Sequence, residues 1–179
     1  MGTSSKELAR KLDKLASRQH GCFTAAQAID IGYADSVHLY HVKNGGWTRI
    51  YRGVYRLGTR PETPEARCMA ALLWTRDKQG HIQGVLSGKT TRSLKNGMLG
   101  EDEPLILHVP RGFRRSSSVP EGIQLISLPK EKHKSSKYSG MPVAALMEEP
   151  ENSIPPPPST LDLPDYYDWL DYQCVVNDR

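Results

Sequence analysis

The sequence predicts an α+β protein with two small domains followed by a proline-rich linker and an acidic tail. Short segments with helical periodicity fill the first 45 residues, and a basic, strand-like ribbon follows them. The composition then changes sharply at residue 148. We therefore expect an N-terminal domain over residues 1–60, a small mixed α/β domain over 61–147, and the linker with its tail over 148–179.

Two helices are expected first. Ser4 or Ser5 can cap a helix whose leucines recur at i, i+4 and i+7 from Leu8, the spacing of one apolar face. Thr24 and Gln27 form a capping-box pattern, which predicts the start of a short second helix over residues 25–31. Glycines follow both segments and are expected to end them.

A third helix is expected from a cap at Asp35 to Asn44, before Gly45 and Gly46. Helical spacing predicts that Leu39 and Val42 face the first two helices. The opposite face would then carry Val37, Tyr40, His41 and Asn44, with Lys43 at its flank. Tyrosine, histidine and asparagine can hydrogen-bond DNA bases or phosphates, and lysine suits phosphate. For the helix alone, a solvated face that reads nothing is the alternative.

The stretch TRIYRGVYRL, residues 48–57, predicts a tight hairpin with Arg52 and Gly53 at the turn. That turn would pair Ile50 with Tyr55 and Arg49 with Arg56, so Ile50, Tyr55 and Leu57 would share one face of the ribbon. Like charges directly opposite each other destabilise a hairpin unless something neutralises them. A polyanion would do so.

Three short helices followed by a basic hairpin is the element order of a winged helix-turn-helix, which binds duplex DNA. Arginines of the hairpin would contact the DNA backbone or minor groove, and the third helix would face the major groove. The predicted DNA-binding residues are Ser36, Tyr40, His41, Lys43, Asn44, Arg49, Arg52 and Arg56.

Charge is distributed unevenly along the chain. The net charge of +4 divides into +6 over residues 1–60, +5 over 61–147 and −7 over 148–179. This asymmetry predicts a polyanion partner for the body and a separate role for the tail. The acidic residues of the tail step by three from Asp162 to Asp171, but the tail has no lysine for a metal nuclease, so an interaction or solubilising tail is the better interpretation.

Composition and cysteine spacing argue against several function classes. The chain has no run of about 18 apolar residues and no signal-peptide pattern, so we expect a cytoplasmic protein without a membrane partner. Its three cysteines are far apart and form no C-x-x-C pair, which predicts reduced, structural thiols. His20 and Cys22 are interpreted as isolated residues and not as a pair of metal ligands. No metal, cofactor or small-molecule substrate is expected.

The second domain should begin with a helix at Thr63-Pro64 and continue with strands at residues 84–86, 105–109 and 123–128. GVLSGKT, residues 84–90, resembles a phosphate loop but has three residues, not four, between its glycines. We interpret it as a helix capped by Ser87 and expect no nucleotide hydrolysis. RGFRR, residues 111–115, fits a phosphate clamp and a solvated loop equally well.

Taken in order, LDKLASRQHGCFTAAQAIDIGY and LYHVKNGGWTRIYRGVYRLG resemble the N-terminal winged helix of the AbiEi antitoxin family of type IV toxin–antitoxin (abortive infection) systems. LSGKTTRSLKNGM, LILHVP and MPVAAL are similar to later parts of that family. The resemblance implies a non-enzymatic transcriptional regulator that represses its own operon. It also implies a partner, a nucleotidyltransferase-like toxin, opposed chiefly through the later domain.

Two other functions fit the residues less well. One is a non-catalytic protein-interaction module whose helix-turn-helix is structural. The other is the remnant of a DNA-processing enzyme, against which the missing lysine–carboxylate clusters count.

Overall fold

The N-terminal part of the protein is a three-stranded antiparallel sheet with three helices. The computed structural model describes residues 4–115, 117–129 and 135–144. The strand order is β1–β3–β2, so the last strand of the hairpin is central. The α+β class is confirmed, and the order of elements is that of a winged helix. These elements are α1 (Ser5–Ser17), β1 (Cys22–Thr24), α2 (Ala25–Ile31), α3 (His38–Lys43), β2 (Trp47–Tyr51) and β3 (Val54–Leu57).

The predicted helix caps are confirmed for α1 and α2. The Ser4 hydroxyl accepts a hydrogen bond from the Glu7 amide at 3.3 Å. Thr24 and Gln27 form both bonds of a capping box, at 3.2 and 2.9 Å. The predicted cap at Asp35 is wrong, because Asp35 lies inside a 3₁₀ turn, Asp35–Val37, that precedes α3 and has no side-chain cap.

The second half of the described chain is a five-stranded mixed sheet with two helices. Strand β4 is parallel to β8 and antiparallel to β5, and the sheet order is β6–β5–β4–β8–β7. The predicted helices and strands between residues 63 and 128 are confirmed. The linker and tail over 148–179 lie outside the described residues. The elements are α4 (Pro64–Trp74), β4 (Val85–Leu86), α5 (Gly88–Lys95), β5 (Leu105–Pro110), β6 (Ile123–Leu128), β7 (Ser135–Tyr138) and β8 (Met141–Ala144).

Helix α4 packs against both sheets. Eight of its eleven residues are buried, and they form one apolar cluster with Cys22 and Val54 of the first sheet and with Leu86 and Leu107 of the second. The Cys22 thiol lies 3.3 Å from the carbonyl oxygen of Ala66, to which it donates. The N-terminal sheet thus buries one of its faces only because α4 covers it. The division into domains at residue 60 stays a prediction.

A second, smaller cluster lies on the other face of the first sheet. It contains Leu12 and Ala16 of α1, Phe23 of β1 and Trp47 of β2, with Tyr55 packed against them. The Phe23 and Trp47 rings meet edge to face, with centroids 4.9 Å apart. This aromatic cluster forms the surface on which α3 rests.

Candidate nucleic-acid interface

One side of α3 packs against the aromatic cluster. The His41 ring stacks on Trp47 with centroids 4.6 Å apart and planes 18° apart. His38 is buried and contacts both Trp47 and Tyr55. Val42 packs against the same cluster. Burial is the main cause that lowers the pKa of His41, and the nearby His38 lowers it further, so the neutral imidazole is favoured on the inner side of the helix.

The other side of α3 faces solvent and differs from the predicted one. Leu39 is 65% exposed and Tyr40 is 63% exposed. The prediction that Leu39 packs inward is therefore wrong, as is the prediction that Val37 faces outward, because Val37 packs against the aromatic cluster. His38 and His41 occupy the inner positions instead, since their rings stack on Trp47 and Tyr55. The exposed residues of this side are Ser36, Leu39, Tyr40, Lys43 and Asn44.

The hairpin has the predicted turn but a different register. Tyr51 pairs with Val54 as expected, yet a bulge between Arg49 and Tyr51 adds one residue to β2. Arg49 consequently lies opposite Tyr55, and Thr48 lies opposite Arg56. The predicted pairing of Arg49 with Arg56 is wrong, because a bulge shifts every side chain beyond it to the other face. Ile50 accordingly packs on the α4 side, while Tyr55 and Leu57 pack on the α3 side.

The bulge places Arg49 on the face of the sheet that α3 covers. Opposed residues share a face of a sheet, so Arg49 is on the face of Tyr55 and Trp47, which is the face that α3 covers. Its side chain is exposed. We call the exposed group Ser36, Leu39, Tyr40, Lys43, Asn44 and Arg49 the α3 surface.

Arg56, a predicted DNA-binding residue, points away from the α3 surface and is buried. Its guanidinium donates to the carbonyl oxygen of Arg60 at 2.7 Å and to the Glu62 carboxylate at 3.1 Å. Only 11% of its side chain is exposed. Those two bonds hold the segment that leads from β3 into α4, so the structure gives Arg56 a structural position.

Arg52 is exposed at the hairpin turn, where Gly53 adopts a φ of +75° that favours glycine. The Gly53 carbonyl oxygen accepts from the Ala25 amide at 2.9 Å, which holds the turn against the start of α2. Tyr51, the last residue of β2, is four residue steps or roughly 13 Å along the strand from Trp47, and Arg52 follows it in the turn. Arg52 lines two surface grooves of about 550 Å³ each. One groove is also lined by Trp74, and the other by residues 76–80.

A polar network fixes α2 relative to the rest of the winged helix. The Gln19 and Gln27 side-chain amides bond reciprocally at 3.1 and 3.0 Å. Arg76, just after α4, donates to the Gln19 amide oxygen at 3.1 Å. Burial lowers the pKa of the Arg76 guanidinium. The end of α1, the cap of α2 and the segment after α4 therefore share one hydrogen-bonded group.

In the second half of the described chain, residues of the GVLSGKT and RGFRR motifs make contacts within the fold. The Ser87 hydroxyl accepts from the Thr90 amide at 3.2 Å, and Thr90 accepts from the Ile106 amide at 3.0 Å, so both hydroxyls are used within the fold. In the RGFRR loop, Arg115 donates to the Trp74 carbonyl and lies over its ring, 5.4 Å from the centroid. Across the described ranges, no cluster of three histidine, cysteine or acidic side chains has the geometry of a metal site. Likewise, no described helix has the length and apolar character needed to cross a bilayer.

The match to a known family covers the elements just described. Residues 10–58 match the model of the AbiEi_4 family, described as a transcriptional regulator, AbiEi antitoxin. That segment runs from within α1 to the end of the hairpin, so the resemblance read from the sequence is confirmed for the winged helix. No curated protein matches the chain.

Proposed function

We propose that this protein is a DNA-binding transcriptional regulator that places the α3 surface on duplex DNA. The observation that carries the proposal is the two-sidedness of α3: aromatic stacking on Trp47 fixes one side, and the other side presents hydrogen-bonding and cationic groups to solvent. A helix held in this way can enter the major groove as a rigid element. The match of residues 10–58 to a transcriptional-regulator family supports this interpretation.

Within this proposal the α3 surface divides by chemistry. Lys43 and Arg49 contact phosphates and position the helix. Ser36, Tyr40 and Asn44 reach base edges, and asparagine suits the paired donor and acceptor of adenine. Arg52 contacts the backbone farther along the duplex. His41 fixes the inner side of α3 on Trp47, and Arg56 holds the segment between β3 and α4, so neither contacts DNA directly.

We further propose that the protein is the antitoxin of a type IV toxin–antitoxin pair. It represses its own operon and opposes a nucleotidyltransferase-like toxin, working in the cytoplasm without catalysis or a cofactor. The family description as an antitoxin supports this role. Residues 61–147 would bind the toxin, since the α3 surface is assigned to DNA.

The salt dependence of DNA binding tests the regulator proposal. Each phosphate contact should contribute about −0.9 to the slope of log K against log[salt]. Arg49→Ala should make that slope shallower by about 0.9, measured by fluorescence anisotropy on random and upstream duplexes. Arg92→Ala removes one exposed arginine from α5 and is the matched control, with an unchanged slope. Wild-type binding that is undetectable, or independent of salt, would refute the proposal.

A growth assay tests the antitoxin proposal separately. The nucleotidyltransferase-like protein encoded beside this chain should arrest growth when expressed alone, and co-expression of this chain should restore growth. The Arg49→Ala variant should restore growth as well as wild type, because its loss concerns DNA only. Restored growth without any DNA binding by the wild-type protein would favour a pure protein-interaction module.

A further inference from the structure

Leu39 is an exposed apolar residue on the otherwise polar outer side of α3. Helical positions that face water are normally polar, yet Leu39, the second residue of α3, is 65% exposed. Tyr40 beside it is 63% exposed. The inner side of α3 already has its apolar contacts from Val37, Val42 and the two histidine rings. Packing among the described residues therefore gives no reason for a leucine on the outer side.

The surroundings of Leu39 indicate what could cover it. Ser36 and Lys43 lie on the same side of the helix, and Arg49 lies on the same face of the adjoining sheet. Stable protein–protein interfaces bury roughly 800 Å² on each partner and are depleted of lysine at their centre. One leucine and one tyrosine, with Lys43 and Arg49 as cationic neighbours and the exposed carboxylate of Asp35 four residues before Leu39, are too small and too polar for that. The pattern suits a nucleic-acid groove, whose rim is anionic and whose floor offers isolated apolar groups.

We propose that Leu39 reads the C5-methyl group of a thymine in the major groove, and so makes this residue a determinant of DNA sequence specificity. The inference rests on the proposed DNA-binding function and adds a base identity to it. The thymine methyl is the apolar group that a standard base pair presents in the major groove, and apolar side chains are the groups that contact it. Lys43 and Arg49 hold the phosphates on either side while Leu39 reaches the groove floor.

Replacing thymine by deoxyuridine isolates this contact, because the exchange removes the methyl and leaves every base-pairing and hydrogen-bonding group in place. The full-length protein first selects a duplex from a random 20-base-pair pool. The selected duplex is then made with thymine and with deoxyuridine at each position in turn. When deoxyuridine replaces the contacted thymine, wild-type protein should bind the duplex about fourfold more weakly, which corresponds to the free energy of burying one methyl group. Leu39→Ala should bind the thymine duplex more weakly and should show no difference between the two duplexes.

Two controls keep the result specific. Leu39→Met retains an apolar side chain and should keep the preference for thymine. Met98→Ala removes a similarly exposed apolar side chain outside α3 and should change neither affinity nor preference.

The outcomes separate the two proposals. Absence of any selected duplex would refute DNA reading itself. A selected duplex with no invariant thymine, or a thymine preference that persists in Leu39→Ala, would overturn the role of Leu39 and leave DNA binding intact. A change from a dimer to a monomer in Leu39→Ala, with the thymine preference unchanged, would assign Leu39 to a contact between two copies of the chain.

Discussion

Arg49 and Arg56 look equivalent in the sequence but should respond to substitution in opposite ways. Arg49 is exposed on the α3 surface, whereas Arg56 is buried and bonded to Arg60 and Glu62. Arg49→Ala should therefore weaken DNA binding with little change in stability. Arg56→Ala should destabilise the fold.

The size of the Arg56 effect follows from its contacts. Loss of a hydrogen bond from a charged donor to the Arg60 carbonyl costs about 1.5–3 kcal/mol. The Glu62 carboxylate is 72% exposed, so solvent screening limits that ion pair to about 0.5 kcal/mol. The buried Nε of Arg56 has no hydrogen-bond partner among the described residues, and its removal offsets part of the loss. We expect a net destabilisation of about 2 kcal/mol for Arg56→Ala, against less than about 0.5 kcal/mol for Arg49→Ala.

Urea unfolding followed by circular dichroism measures these changes, and anisotropy at two salt concentrations measures DNA affinity. Arg56→Lys keeps the positive charge but loses the two-pronged geometry, so it should destabilise the protein while DNA affinity of the folded fraction is retained. If Arg56→Ala unfolds at the wild-type urea concentration yet loses DNA binding, the guanidinium is available to DNA. The bulged register would then be refuted.

Three other changes follow from the structure. Lys89→Ala should leave DNA binding unchanged, and neither form should hydrolyse ATP or GTP in a phosphate-release assay; turnover abolished by the substitution would contradict this. Burial raises the pKa of Cys22 and of Cys68 from 9.0 to about 12, so above pH 9 only the unfolded state loses these protons. Stability should therefore fall as pH rises, by on the order of 1 kcal/mol per thiol at pH 10, and Cys68→Ala should show a smaller fall in urea unfolding than wild type. A fragment of residues 1–62 lacks α4 and should show little cooperative unfolding by circular dichroism, and a sharp transition like that of the full chain would contradict the shared core.

Helix starts and the hairpin turn could be read from the sequence because their causes are local. A capping hydroxyl or amide needs partners only three residues away, as in Thr24 and Gln27. The turn at Arg52-Gly53 needs one residue with a positive φ, and glycine supplies it. The same local logic located α4 through Thr63 and α5 through Ser87.

The register of the hairpin and the orientation of α3 could not be read in that way. The orientation of α3 depends on Trp47, whose ring packs against His38 and His41. Counting histidine as a polar, outward residue assigned the wrong face to α3 and hid the exposure of Leu39. The spacing of His38 with His41 and Val42 is itself helical, so an apolar face that includes histidine was an available signal. The bulge at Ile50 had no local signal, because any residue can occupy it.

Strand β1 was also missed, and the reason bears on how the winged helix is stabilised. It has three residues, all of them buried, so it shows no alternation of polar and apolar side chains. It is buried because α4 covers Cys22 from one face of the sheet while α1 and Trp47 enclose Phe23 on the other. The burial of this strand on one face thus depends on a helix about 40 residues later in the chain. It follows that the surface proposed to bind DNA depends for its stability on contacts made by the second half of the protein, and that substitutions in α4 should alter DNA binding without touching the α3 surface.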